Sequence, residues 1–252
     1  IVASLVGSEM CIRDRAIRFA VEAHRRNMPY CMGTLYWQFN DCWPVISWSS
    51  IDYGGNWKAL HYAARKFFSP ILVSIRDLDD KIEIHVINDQ HHEVESRLRL
   101  GLFNLNGDIL FKDSSEINLE PFSSTIYRVF DKNDFLSGVD LYATVFRAEL
   151  FVGGKVLSRA HQFFRRPKYL SIPSPEFDYK IERVRGKYVI TIKSKSFLCQ
   201  VHLISIKVRG VFSDNYFEML PGEVQMIDFE PSENEELKKS ELIIRTLHEL
   251  MN

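Results

Sequence analysis

Cysteine is scarce in this 252-residue chain: four residues, at positions 11, 31, 42 and 199, with no Cys-x-x-Cys pair and no regular spacing. That pattern offers neither a disulfide framework nor a zinc site, and the four are read as thiols outside any disulfide. Long apolar runs are missing too, since none approaches the ~20 residues of a membrane span. Residues 1–7 (IVASLVG) are too short for a secretory h-region and have no basic n-region. No leader or membrane partner is therefore expected, and the compartment stays open, with a cytoplasmic setting expected for a bacterial source. An excess of one charge is absent: 32 basic residues face 33 acidic ones. No global field favours nucleic acid or an anionic surface. The Arg165-Arg166-Pro167-Lys168 cluster reads as a solvated linker. Nothing in the composition addresses oligomeric state.

What is present is enough apolar material (46% of residues) for a large core, with 26% charged residues, an ordinary soluble composition. All four tryptophans, Trp37, Trp43, Trp48 and Trp57, fall within Gly33–Tyr62. Before this stretch, residues 16–27 show helical spacing, with Ile17, Ala20, Val21 and His24 on one side and Arg18, Glu22 and Arg25 around the other. Pro29 stops that helix. Gly33–Phe39 is apolar enough to predict a strand buried on both faces, as in parallel sheets. Asn56 is the expected N-cap of a helix over Trp57–Phe68, whose stripe is Trp57, Leu60, Ala64 and Phe67 or Phe68. Helix, buried strand, polar-aromatic loop, helix is the rhythm of a β/α barrel or a doubly wound sheet.

After Pro70 the period changes to two. Strands are predicted over Lys81–Ile87, Arg97–Phe103, Ser124–Phe130, Leu141–Val152 and Lys155–Phe164, with Asn106-Gly107 and Gly153-Gly154 as turns. Arg165–Pro175, with three prolines, reads as a linker. A second set follows: Tyr179–Val184 and Lys187–Lys193 over an Arg185-Gly186 turn, then Phe197–Val208, Glu223–Phe229 and Leu242–Leu247, the last with a helical alternative over Glu241–Met251. Such spacing suggests antiparallel sandwiches.

One set of residues carries a family resemblance: Gly33, Leu35-Tyr36-Trp37-Gln38, Asn40-Asp41, Trp43-Pro44, Ser47-Trp48, Asp52-Tyr53, Lys58, His61-Tyr62 and Phe67-Phe68. This string resembles the last barrel strand and following helix of β-mannosidases of glycoside hydrolase family 2. A second, weaker match, Phe212–Glu223, is similar to part of their C-terminal immunoglobulin-like domain. The resemblance covers roughly Ala16 onward. It implies a mainly β chain: the truncated end of a (β/α)8 barrel at 16–68, then immunoglobulin-like antiparallel β-sandwich domains at 69–167 and 168–252. Residues 1–15 are set apart as foreign to the family or a junction segment. It also implies hydrolysis of terminal β-linked mannose with retention, which needs two carboxyl groups about 5–5.5 Å apart. In the family both are glutamates on earlier barrel strands.

Here the chain departs from the pattern. Between 16 and 68 the carboxylates are Glu22, Asp41 and Asp52, and Glu22 reads as part of a solvated helix face. Glu9 lies too close in sequence to the last strand to be a family nucleophile. Together with a chain that begins on Ile, this leads to the expectation of an inactive piece of a longer enzyme, with no catalytic residue of its own. The expected substrate-binding residues are Trp37, Asn40, Asp41 and Trp43. Trp37 would lie near the C-terminal end of the strand, where barrel enzymes place their sites, and its face suits the C–H patches of a sugar. Asn40 and Asp41 would bond sugar hydroxyls, orient the glutamates, or satisfy turn amides. Trp43 would line the pocket or pack the loop, and Trp48, Asp52, Tyr53, Lys58 and Tyr62 would fix loop to helix. Cys42 reads as a small buried residue. His91-His92 lacks a third ligand, so no metal is expected, and no cofactor. Two other readings stay open: a non-catalytic sandwich module that binds carbohydrate or a protein, and a related enzyme acting on β-galactosides or β-glucuronides.

Overall fold

The structure is a computed structural model that describes residues 15–233 and 235–251. Glu9, Cys11 and most of the 1–15 segment lie outside the described residues. Among the described residues strands make up 47% and helices 15%, so the fold is mainly β with antiparallel sheets.

The described residues begin with helix α1 (residues 15–26). Its apolar side delivers Ile17 and Val21 to a small core shared with Leu60, Ala64 and Phe67 of helix α2 (Ala59–Phe67). Leu60 and Phe67 are fully buried, and each such burial contributes about 1.5–3 kcal/mol. The helix begins two residues later than expected: Lys58 is the N-cap, and Asn56 is instead bonded to Asp52. At the other end Arg25 of α1 donates to the Phe67 carbonyl at 2.6 Å, satisfying a terminal acceptor of α2.

Between the two helices the predicted buried strand does not form. Residues 33–39 are irregular, with bends at 37 and 39, their backbone enters no ladder, and Leu35 is 99% exposed. Leu35, Trp37 and Phe39 are exposed, the Tyr36 hydroxyl meets Ser50 Oγ, and the Gln38 carbonyl accepts from the Ser50 amide. A strand buried on both faces needs neighbours on both edges, and among the described residues none pairs with this segment.

From Ile71 on, period-two patterning does build strands. β1 (Ile71–Asp77), β2 (Lys81–Asn88) and β5 (Ser123–Asp131) form one sheet in the order β1-β2-β5. The facing sheet is β4-β3-β6-β7, from β3 (Val94–Asn104), β4 (Ile109–Leu119), β6 (Thr144–Val152) and β7 (Lys155–Phe163). A single helical turn, α3 (Lys132–Phe135), leaves β5 with Asp131 as its N-cap. Cross-strand partners Leu98–Leu150, Leu100–Ala148 and Leu102–Phe146 point into the core with Ile82, Ile84 and Val86. The β6–β7 turn takes both Gly153 and Gly154 to positive φ, as a two-residue turn matched to strand twist requires.

The second sandwich pairs sheet β11-β13-β9-β8 with sheet β12-β10-β14. Its strands are β8 (Phe177–Val184), β9 (Lys187–Ser194), β10 (Leu198–Ser205), β11 (Gly210–Phe212), β12 (Phe217–Met219), β13 (Val224–Pro231) and β14 (Leu242–Arg245). Its core of Tyr188, Ile190, Ile192, Leu203, Ile227 and Phe229 also takes in Tyr62 from α2. After β14 the chain turns into a short helix, α4 (Leu247–Met251), so the predicted strand over Leu242–Leu247 is cut by its helical alternative. Leu105, Val145, Phe197, Cys199 and Leu220 fill the seam between the sandwiches. Arg147–Glu223 (2.5 Å) and His161–Glu218 (3.2 Å) cross the same seam. The 165–175 linker carries one helical turn, and its basic side chains are largely exposed.

Candidate functional site

The segment between the helices is organised from beneath, by serines. Ser49 and Ser50 are completely buried. The Ser50 amide donates to the Gln38 and Phe39 carbonyls, and its hydroxyl contacts the Phe39 carbonyl (2.8 Å), Tyr36 Oη (2.9 Å) and His61 Nδ1 (3.2 Å). Burial, and then Arg65, lower the pKa of His61, which keeps the ring neutral in this apolar setting. Single bridges join Asn40 to Ile51 and Ile51 to Trp57, which closes the segment onto the start of α2.

Asp41 is drawn into this underside and is 4% exposed. One carboxylate oxygen accepts from the Ser47 hydroxyl and the other from Lys58 Nζ at 2.9 Å. Hydrogen bonding from Ser47, and then from Lys58, holds its pKa down at about 2, so it is a fixed anion. Lys58 also donates to Ser49 Oγ at 2.6 Å. Asp52 is engaged by the backbone and side chain of Asn56.

The aromatic residues go the other way. Trp37 is 78% exposed, Trp43 66%, and Trp48 and Tyr53 are also open, along with Phe39 and Ile46. The expectation that Trp48 and Tyr53 brace the loop against the helix is therefore overturned. Of that set Lys58 does tie the loop to the helix, through Asp41 and Ser49, while Tyr62 packs into the core of the second sandwich. Cys42 is exposed as well, contrary to expectation, since Asp41 occupies the inward position beside it. An outward cluster of large apolar groups on a protein surface marks a place of contact. Of the four predicted site residues, Trp37, Asn40 and Trp43 lie exposed on this segment and Asp41 lies under it. Neither of two clefts elsewhere, one of about 410 Å³ beside Trp57, His202 and Lys207, the other near Asn104 and Asp140, is lined by any of the four.

Glu22 is not on a solvated face. It is buried at the junction of α1 and β1, held by Arg18 (2.6 Å), Arg26 (3.7 Å) and the Ser74 hydroxyl (2.6 Å). The residues missed from sequence, Glu22, Ser49 and Ser50, gave little signal, because serine is common in loops and Arg18 and Arg26 look like ordinary surface helix partners. His91 and His92 pack edge to face, and among the described residues no group of three His, Cys, Asp or Glu could hold a metal ion.

Two tandem antiparallel sandwiches joined to a helical segment with an outward aromatic face define a mainly β chain of several units. Comparison with known proteins makes this specific. Residues 80–169 match a family model described as a mannosidase Ig/CBM-like domain, and residues 172–250 match the mannosidase Ig-fold domain. β-Mannosidase A of Aspergillus oryzae is 28% identical over 222 residues, covering 81% of this chain and 24% of that protein. Goat β-mannosidase is 59% identical over 51 residues, 20% of this chain and 6% of the relative. The crystal structure of β-D-mannosidase from Dictyoglomus thermophilum superposes with a TM-score of 0.84 at 26% identity, over 94% of this chain and 29% of that one. The exo-chitosanase of Amycolatopsis orientalis (TM-score 0.72, 17% identity, 89% of this chain and 31% of that one) shares the fold. The chain belongs to the β-mannosidases of glycoside hydrolase family 2, matching their C-terminal part and about a quarter of the length of its fungal relatives.

Proposed function

We propose that this chain supplies one wall of a β-mannoside site together with two immunoglobulin-like domains, within a retaining enzyme that removes terminal non-reducing β-D-mannose. The single observation that carries this is the outward Trp37–Trp43 face on a segment fixed from below, in a chain of this family. Trp37 stacks on the sugar, Asn40 bonds a hydroxyl, Trp43 borders the pocket, and Asp41 acts through the loop. The domain division follows at 16–68, 69–167 and 168–252, the first being the end of a barrel. The carboxylates of the 16–68 segment are all committed: Glu22 to arginines, Asp41 to Lys58 and Asp52 to Asn56. None forms the pair, about 5–5.5 Å apart, that retention requires, so the chain alone binds without turning over.

The test is to incubate the chain with an aryl β-D-mannoside. Saturable quenching of tryptophan emission, lost in Trp37→Ala, with no phenol release, is expected. Measurable turnover by the chain, or quenching unchanged in Trp37→Ala, would sink the reading. A second reading, a non-catalytic carbohydrate-binding module, draws on the CBM-like character of the family model over 80–169. It predicts a footprint on residues 69–251 and no role for Trp37.

A further inference from the structure

The outward aromatic face exists only if something pulls the chain between its rings inward. Asp41 lies between Trp37 and Trp43, and its carboxylate is spread across two tethers, Ser47 on one oxygen and Lys58 on the other. Lys58 is the residue just before α2. Its ammonium reaches Asp41 and Ser49, while its own backbone amide donates to the Ser50 carbonyl at 2.9 Å. The side chains of this pair are 14% and 1% exposed. A buried pair of this kind is costly to break, because removing one partner strands the other's charge away from water.

We propose that Lys58 is a positioning residue for the sugar-facing surface: through Asp41 it holds loop 41–49 closed on the start of α2 and so turns Trp37, Asn40 and Trp43 outward. The sugar half of this statement rests on the function proposed above, and the lock itself rests on geometry. The groups that face Asp41 are Lys58 and the Ser47 and Ser49 hydroxyls, with His61 of α2 contacting the neighbouring Ser50. Asp41 meets no sugar itself in this arrangement. Asp41 stays ionised down to about pH 2, so the lock should release only in strong acid.

The experiment compares the full 252-residue chain with Lys58→Met, Lys58→Arg and Asp41→Asn. Amide exchange at Asp41, Ser50 and Ile51 and the acid midpoint of tryptophan emission read the lock, and methyl β-D-mannoside binding reads the sugar face. Lys58→Met should speed exchange at those three amides by about tenfold or more, as local opening becomes easier. Its acid midpoint should rise from about 2 toward the ordinary aspartate value of 3.8. Mannoside affinity should fall about tenfold, a local loss of one stabilising contact. Lys58→Arg, which keeps charge and reach, should restore all three. Exchange and midpoint unchanged in Lys58→Met, or Lys58→Arg no better than Lys58→Met, would overturn the proposal. Should Lys58→Met fail to fold, Asp41→Asn removes the same charge pair at constant shape, and wild-type exchange at Ser50 and Ile51 in that variant overturns it equally. A wild-type chain with the lock readouts intact and no mannoside response upholds the lock and refutes only the sugar reading.

Discussion

His202 shows how a single residue can carry a property of the whole fold. Its ring stacks on Tyr216 with centroids 4.4 Å apart, and Nε2 lies 2.8 Å from the Tyr216 hydroxyl. Burial, and then the charge of Arg245, push its pKa down from 6.5 to about 4. The unfolded chain therefore binds a proton that the folded chain refuses between those values. Its contribution to stability is complete above about pH 6.5 and is lost as pH falls toward 4. Urea midpoints measured from pH 7 to 4 should decline, and His202→Gln should flatten part of that decline. His61, His85 and His161, also depressed by burial, add to the decline in the same direction. An equally steep decline in the variant would contradict the assignment. At this scale the sequence was only partly legible. Trp37 and Asn40 read as candidates by type and place and both lie exposed, but whether Asp41 faces outward or toward lysine depends on Lys58, seventeen positions away. Glu22 depends on Ser74, fifty-two positions away, and no local pattern announces such a pairing.

Among the elements, legibility followed periodicity. Strands with alternating buried and open positions, such as β3 and β9, declared themselves by period two, the β8–β9 turn by Arg-Gly and the β6–β7 turn by Gly-Gly. Less visible were β1, whose apolar run after Pro70 has no alternation, and β4, an edge strand with most of its side chains half open. The three-residue strands β11 and β12 are too short to show any period. Gly33–Phe39 misled for a different reason: its composition describes a strand with neighbours, and no neighbour pairs with it among the described residues. β11 also holds a position where only glycine fits. A Cβ on Gly210 would run into the Glu230 backbone carbonyl and lie 2.6 Å from the Phe229 ring. Backbone on the paired strand cannot give way, so Gly210→Ala should cost about 1–3 kcal/mol by overpacking. Chemical denaturation would show it, and a loss below about 0.5 kcal/mol, the usual range for a surface change, would contradict the geometry.

For the whole molecule, the helical segment is not an appendage. α1 ties to the first sandwich through Glu22–Ser74 and Arg25–Asp89. α2 ties to the second through Tyr62, Lys66–Asp214 and Arg65 to the Ser213 carbonyl. The two sandwiches share their own apolar seam and the part-buried Glu218, whose pKa the partial burial pushes up but the His161 contact holds down at about 2. The tryptophan-rich segment is thus carried between two helices, one tied to each sandwich. The family string in the sequence anticipated this order of parts, though not the contacts that join them. The central claim is that sugar meets this frame at Trp37 and not on the sandwiches. Its most direct test is a residue-resolved footprint: indole and amide shifts of the chain titrated with methyl β-D-mannoside. The account predicts saturable shifts at the Trp37 and Trp43 indoles and the Asn40 amide, with the sandwich amides still. Shifts confined to residues 69–251, with both indoles unmoved, would contradict it.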